Sequence, residues 1–241
     1  MKKVVFLGVF LCLNISSASA VCGSPQPRLV CAEYFKEPVV VIARMTRARY
    51  VEKDDAMDYH LYSMQTEKVV RGQINPNFRI YEENSSGRAS FAWIAGESYL
   101  LFLSYVKRDG SWELDGCGNS APLKKSGPAL RQIEKIQAAG NGAGGEITGV
   151  VWPDTGITIV AQRTGGEFQT RSNKSNEFKI HVPVGDYSVR AVQGRARFVA
   201  DDFSYERPAH LRVENGGCVQ VALRRSVSGE SRQPSERLPG R

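Results

Sequence analysis

The chain has 241 residues, 41% of them hydrophobic and 24% charged, with 32 Lys and Arg against 25 Asp and Glu and a net charge of +7. At roughly 100–200 residues per domain, that is one large domain or two small ones. The composition is that of an ordinary globular protein and excludes a disordered chain, a collagen-like fibre and a polytopic membrane protein; the basic excess is modest and scattered.

Residues 1–20 read as a signal peptide. Lys2 and Lys3 form a short positive region, Val4 to Leu13 is an apolar run too short to span a bilayer, and Ala18-Ser19-Ala20 fits the small-x-small rule of signal peptidase. Cys22 follows Val21 rather than a small residue, which disfavours lipid attachment, so the mature chain is expected to start at Val21. Cleavage would remove two lysines and no acid, lowering the net charge from +7 to +5. No later stretch reaches the ~18 apolar residues that a membrane span needs. Cleavage would also remove Cys12 and leave Cys22, Cys31, Cys117 and Cys218, an even count in an exported chain, so disulfides are expected. Four cysteines allow three pairings, between which the residues alone do not choose, and the absence of C-x-x-C spacing disfavours a zinc knuckle or a thioredoxin-type site.

A composition break at Ala138 to Gly145, AAGNGAGG, reads as a flexible linker over 139–145. It divides the mature protein into residues 21–138 and 146–226. Residues 227–241, almost without apolar side chains, read as a disordered tail. In the first half, Leu29 to Lys36 predicts a short helix ending before Pro38. Strands are predicted at Val39 to Met45, Tyr59 to Val70, Phe78 to Tyr81, Ser98 to Val106 and Trp112 to Leu114, with turns at Asn84 to Gly87 and Asp109-Gly110. After Ser126, a candidate N-cap, Leu130, Ile133 and Ile136 repeat at helical spacing. The expectation is a five-strand β barrel with helices at its ends.

Cys22, Phe35 ahead of Val39-Val40-Val41-Ile42-Ala43-Arg44, Glu67-Lys68-Val69-Val70-Arg71-Gly72, Ala95-Gly96-Glu97-Ser98-Tyr99-Leu100-Leu101-Phe102 and Cys117-Gly118 follow one another in an order that resembles the netrin-like domain of tissue inhibitors of metalloproteinases. The resemblance covers most of residues 22–137 and implies an OB-fold barrel with flanking helices. It also implies a Cys22–Cys117 disulfide, a bridge that in the loop-closure view removes on the order of 4 kcal/mol of denatured-state freedom. Cys31 and Cys218 then remain, either paired across the linker or left as buried thiols. Those inhibitors chelate the protease zinc through a cysteine at the mature N-terminus. Here Val21 precedes Cys22 and Ser24 stands where a second cysteine would be needed, so that mechanism is not expected to transfer.

The second half alternates through Glu146 to Trp152, Ile157 to Ala161, Phe168 to Thr170, Glu177 to Val182, Tyr187 to Val192, Leu211 to Val213 and Val219 to Leu223. Pro/Gly/Asp turns separate the strands. Strands at that spacing predict a small antiparallel β-sandwich. Gly149-Val150, Gly156-Ile157-Thr158-Ile159 and the run Phe178-Lys179-Ile180 to Pro183-Val184-Gly185-Asp186-Tyr187-Ser188-Val189 resemble the carboxypeptidase regulatory-like domain, a transthyretin-like module of the carbohydrate-binding-like group. Pro183 and Gly185 would make its turn while Phe178, Ile180, Tyr187 and Val189 face the core. Asn176, which tolerates a positive φ, stands where that family usually has a glycine.

No catalytic constellation, metal site or cofactor is assigned. His60, His181 and His210 have no ligand spacing, there is no G-x-S-x-G elbow, and Gly142 to Gly145 lacks the lysine of a P-loop. The pairs Asp54-Asp55 and Asp201-Asp202 offer too few oxygens for calcium. Arg44, Arg47 and Arg49 around Tyr50 are a basic-aromatic set of the kind that binds single strands. Alternating arginines also protect strand edges, and no nucleic-acid partner is expected for an exported protein. Arg190, Arg195, Arg197, Arg224 and Arg225 suit an acidic polymer or lipid headgroups, or form a solvated basic face. The expectation is a mainly β, non-enzymatic binding protein of the bacterial periplasm or extracellular space, whose partner is a protein or glycan. The alternatives are an inhibitor of a secreted protease, or a carbohydrate-binding module in which Trp152 is the first residue to test.

Overall fold

A run of four β-branched residues, Val39 to Ile42, opens the first strand of a closed sheet. The protein was studied as a computed structural model, which describes residues 22–52, 58–83, 93–105 and 110–226. The predicted signal peptide with Val21, the Asp54-Asp55 pair, the Asn84 to Gly87 turn, Asp109 and the tail 227–241 lie outside the described residues. Strand β1 (Val39–Val51) is followed by β2 (Tyr59–Arg71), β3 (Asn77–Glu83), β4 (Ser98–Tyr105), β5 (Trp112–Leu114) and a two-residue β6 (Ala121–Pro122). Their order is β1-β2-β3-β5-β4-β6, and β4 also pairs with β1, so five strands close into a ring. The β3–β5 pair is parallel, Ile80 opposite Trp112; the other pairs are antiparallel. β1 is shared: Val39 to Arg44 pair with β4 on one edge while Val40 to Val51 pair with β2 on the other.

Alternation along these strands decides what each face meets. Val39, Val41, Ala43 and Met45 point into the ring with Tyr62, Met64, Phe78, Ile80, Tyr99, Leu101 and Leu103. Val40, Leu100 and Phe102 point out, where helix α1 (Val30–Lys36) and helix α2 (Gly127–Ala138) cover them with Val30, Tyr34, Ile133 and Ile136. β4 is therefore buried on both faces, which is why it reads as a nearly continuous apolar run; each such side chain contributes about 1.5–3 kcal/mol. Ser126 stands at the N-cap position of α2 but makes no cap bond. Its hydroxyl turns back to the carbonyls of Ala121 and Pro122, and Pro128 in the first turn removes one amide that a cap would serve.

The second half forms β7 (Gly145–Trp152), β8 (Thr158–Arg163), β9 (Gly166–Arg171), β10 (Glu177–Val182), β11 (Gly185–Val192), β12 (Phe198–Ala200), β13 (Leu211–Val213) and β14 (Cys218–Arg225). Two four-stranded sheets, β10-β7-β14-β12 and β13-β11-β8-β9, pack over a shared core. Phe178, Ile180, Tyr187 and Val189 are buried there, and Asn176 has φ 65°. The sandwich is not wholly antiparallel as its short turns suggest: β14 runs parallel to β7, Cys218 opposite Glu146 through Arg224 opposite Trp152. The last strand thus enters between β7, laid down far earlier, and the short β12. Gly149 lies in that seam, where a Cβ would fall 2.0 Å from the Val221 carbonyl oxygen and 2.8 Å from the Phe178 ring.

The outward face of β14 does not meet solvent. Cys218, Gln220 and Ala222 are buried because residues 24 to 31 lie across them. The Leu29 amide donates to Gln220 Oε1 at 2.7 Å, and Gln220 Nε2 donates to the carbonyls of Pro25 and Pro27 at 3.4 and 3.1 Å. Ser24 pairs with Ser204 as an isolated bridge, and Lys36 reaches the Tyr205 carbonyl and Glu206. The glycine stretch 139–145 runs into β7, which begins at Gly145, and the Gly144 carbonyl accepts the Gly216 amide at 2.8 Å.

Candidate functional site

One cluster of chemistry-bearing side chains forms where β1 and β2 run on past the pairing of β1 with β4. β2 continues past the core, so His60 falls on the same face as Tyr62 and Met64. The register then sets Tyr50 of β1 directly opposite His60, and Glu82 of β3 on its other side. Trp93, just before β4, packs against the same row. The result is a ladder of rings. Tyr50 and His60 have centroids 5.1 Å apart, His60 and Tyr62 lie 5.8 Å apart and nearly parallel, and Tyr62 and Trp93 stack at 4.6 Å. Trp93 leans on Tyr99 at 4.9 Å.

The ladder runs from solvent to core: Tyr50 is 46% exposed, whereas Tyr62 and Tyr99 are buried. Its hydroxyls are fixed. Tyr50 donates to Asp58 Oδ2 at 2.5 Å and Tyr62 to Glu82 Oε2 at 2.9 Å, and the Tyr99 oxygen accepts the Ile94 amide at 2.6 Å. Aromatic faces beside carboxylate acceptors suit a ligand with flat apolar surfaces edged by hydroxyl donors. On the reverse face of the same strands Tyr59 and Tyr81 meet at 4.9 Å. There burial raises the Tyr81 phenol above its ordinary value, with Glu83 adding to the effect, and burial with the nearby Glu83 charge raises the Glu113 carboxyl.

A second polar cluster lies under α1. Arg28 is buried and faces three carboxylates: Glu37 at 2.9 Å, Asp115 at 2.8 Å and Glu33 at 3.4 Å. Glu33 also accepts the Asn119 amide and side chain at 2.7 and 2.6 Å, and Ser104 donates to Glu37. Burial pushes the Glu33 carboxyl above its ordinary value despite Arg28, while the surrounding carboxylates more than offset the burial that would lower Arg28. Gly118 closes the cluster; a Cβ there would sit 2.0 Å from Glu33 Oε1. Every member has a partner in the fold, and the cluster reads as architecture.

The structure pairs Cys22 with Cys117 and Cys31 with Cys218, at Cα separations of 5.6 and 5.2 Å. The three histidines do not converge: His60 joins the ladder, His181 is an exposed neighbour of Glu146 at 3.4 Å, and His210 is exposed. Among the described residues no group of three or more His, Cys, Asp or Glu could hold a metal ion. Asp201 accepts the Phe203 amide and Asp202 lies 3.7 Å from Arg224. Arg44, Arg47 and Arg49 are exposed on β1, with Arg44 held by Glu67. Trp152 is 37% exposed at the end of β7. No helix among the described residues is long and apolar enough to cross a membrane.

The ladder as a whole is not visible in the sequence. His60 and Tyr62 alternate on a predicted strand and Tyr50 stands among arginines, but only the hairpin register joins them, and Trp93 lies outside any periodic segment.

No protein-family model and no curated protein matches the chain. Among solved structures, the Bacillus anthracis TIE protein is similar with a TM-score of 0.26 at 8% identity. The similarity covers 79% of this chain and 35% of that one, so this chain spans about a third of the length of that protein.

Proposed function

We propose that this chain is an exported, non-enzymatic binding protein of the cell envelope or extracellular space, and that the open aromatic end of the ring docks a glycan. The observation that carries this reading is the Tyr50–His60–Tyr62–Trp93 ladder, with Asp58 and Glu82 holding its hydroxyls. Sugar rings present apolar faces to stack and hydroxyls to donate, which is the complement of that surface.

The architecture supports the two family resemblances. A five-strand ring in the order β1-β2-β3-β5-β4, closed by the β1–β4 pairing, fits a small Greek-key barrel of the OB type. The buried Phe178, Ile180, Tyr187 and Val189 fit the core of a carboxypeptidase regulatory-like sandwich. Two disulfides fit a periplasmic or secreted home.

The test is a glycan array with the oxidised full-length protein, repeated with Tyr50→Ala. Tyr50 is at the exposed end of the ladder, so its truncation leaves the fold intact. Concentration-dependent binding that weakens about ten-fold in the variant supports the reading; this is the loss of about 1.4 kcal/mol of stacking. No signal on the array, or a signal indifferent to Tyr50, sinks it.

A further inference from the structure

The sandwich has a groove lined by four arginines of the second half, Arg190, Arg197, Arg207 and Arg224. A groove of about 1040 Å³ lies between β11 and β12 and is also lined by residues of the 201–209 segment. It separates the last strand of one sheet from an exposed edge of the other.

Both edges are strand edges with backbone groups to give. In β12, the Ser226 amide donates to the Arg197 carbonyl and the Asp201 amide to the Ala222 carbonyl, so residues 197, 199 and 201 turn their bonds toward β14. By alternation, the N–H and C=O of Phe198 and Ala200 point into the groove. In β11, the Val189 amide donates to the Pro208 carbonyl, so 188, 190 and 192 bond to β8 and Ala191 faces the groove. β12 is the last strand of its sheet, and among the described residues it meets β11 through the Gln193–Ala196 bridge at the turn between them.

The rim is basic where it is uncommitted. Two of its three acids are ion-paired, Asp202 with Arg224 and Glu206 with Lys36, while Asp201 accepts the Phe203 amide and keeps its charge. Arg197 and Arg207 are exposed and make no ion pair among the described residues. We infer that this groove takes an extended acidic peptide segment, which adds a strand to the free edge of β12 while its carboxylates meet Arg197 and Arg207. Main-chain bonds supply the affinity in that mode and side chains the selectivity. The site is independent of the ring and of any glycan.

The experiment uses fluorescence anisotropy with the oxidised full-length protein and a labelled octapeptide of alternating Glu and Val. The expected result is saturable binding that falls at least ten-fold in Arg197→Glu/Arg207→Glu, is screened by salt, and is abolished when alternate amides along one edge of the peptide are N-methylated. Both arginines are exposed, so circular dichroism of the variant should be unchanged. Absence of binding overturns the proposal. So does equal binding of the N-methylated peptides, which would make the contact purely ionic, or equal binding of a Lys/Val octapeptide. If the peptide binds only after residues 227–241 are removed, the groove belongs to the chain's own tail and the acidic-partner proposal fails.

Discussion

Arg28 shows what one residue does when it is taken from water with too many partners. Its side chain is 4% exposed and meets Glu33, Glu37 and Asp115, while its guanidinium lies 5.1 Å from the Tyr205 ring of the other half. Arg28 is the cation ion-paired to these acids among the described residues, so its removal would strand two buried carboxylates, and Arg28→Met should cost about 3–5 kcal/mol in chemical unfolding. Removing one anion is a different matter. Burial holds the folded Glu33 carboxyl above its ordinary value, so between the unfolded and folded values the native state binds more protons than the unfolded one. Stability must then fall as pH rises through that window. Glu33→Gln takes away this contribution and still leaves Arg28 two carboxylates. Urea midpoints followed from about pH 4 to about pH 7 should decline less steeply in the variant than in the parent. Parallel slopes would show that Glu33 is ionised throughout.

At the scale of elements, legibility followed burial symmetry. Val39 to Ile42 and Tyr99 to Leu103 announced strands because both faces are covered, and Phe178 to Val189 because alternation and a Pro/Gly turn agreed. β6 and β12 were not legible: two or three residues carry no period, and each is the last strand of its sheet. The β7–β14 pairing was hidden for another reason. Both strands read correctly, but parallel pairing across some seventy residues is decided by which surfaces remain after the hairpins form. The aromatic ladder was half visible, in the alternation of His60 and Tyr62, and half dependent on that same kind of register. The Cys31–Cys218 bridge ties one such late element, β14, to α1 across 187 residues. Cys31→Ser/Cys218→Ser should therefore lower stability by about 2–4 kcal/mol without changing strand content, measured by denaturation with parallel circular dichroism. A loss of sheet signal in the native baseline would show that β14 needs the bridge in order to form.

The whole molecule is held as one body by more than that bridge. Gln220 is 3% exposed on the outer face of β14 and serves three backbone groups of residues 25 to 29, all from the other half. Phe35 packs on Gly217, where a Cβ would fall 2.8 Å from its ring, and Lys36 grips the 205–206 segment. These contacts form a polar seam with one apolar anchor, the composition of an interface that holds by satisfied hydrogen bonds. Replacing Gln220 by Leu keeps the volume and orphans the Leu29 amide with two carbonyls, a cost of about 1–3 kcal/mol that falls wholly on docking. In the presence of the disulfide this loss is masked, because the halves cannot separate. In the Cys31→Ser/Cys218→Ser background, Gln220→Leu should split a single unfolding transition into two and raise the radius of gyration in small-angle scattering, while the background alone keeps one transition and the parent radius. If the background already separates, the seam is subordinate to the covalent link. If the triple variant stays compact with one transition, Phe35 and the 203–206 contacts suffice to hold the halves, and Gln220 is a passenger in the interface.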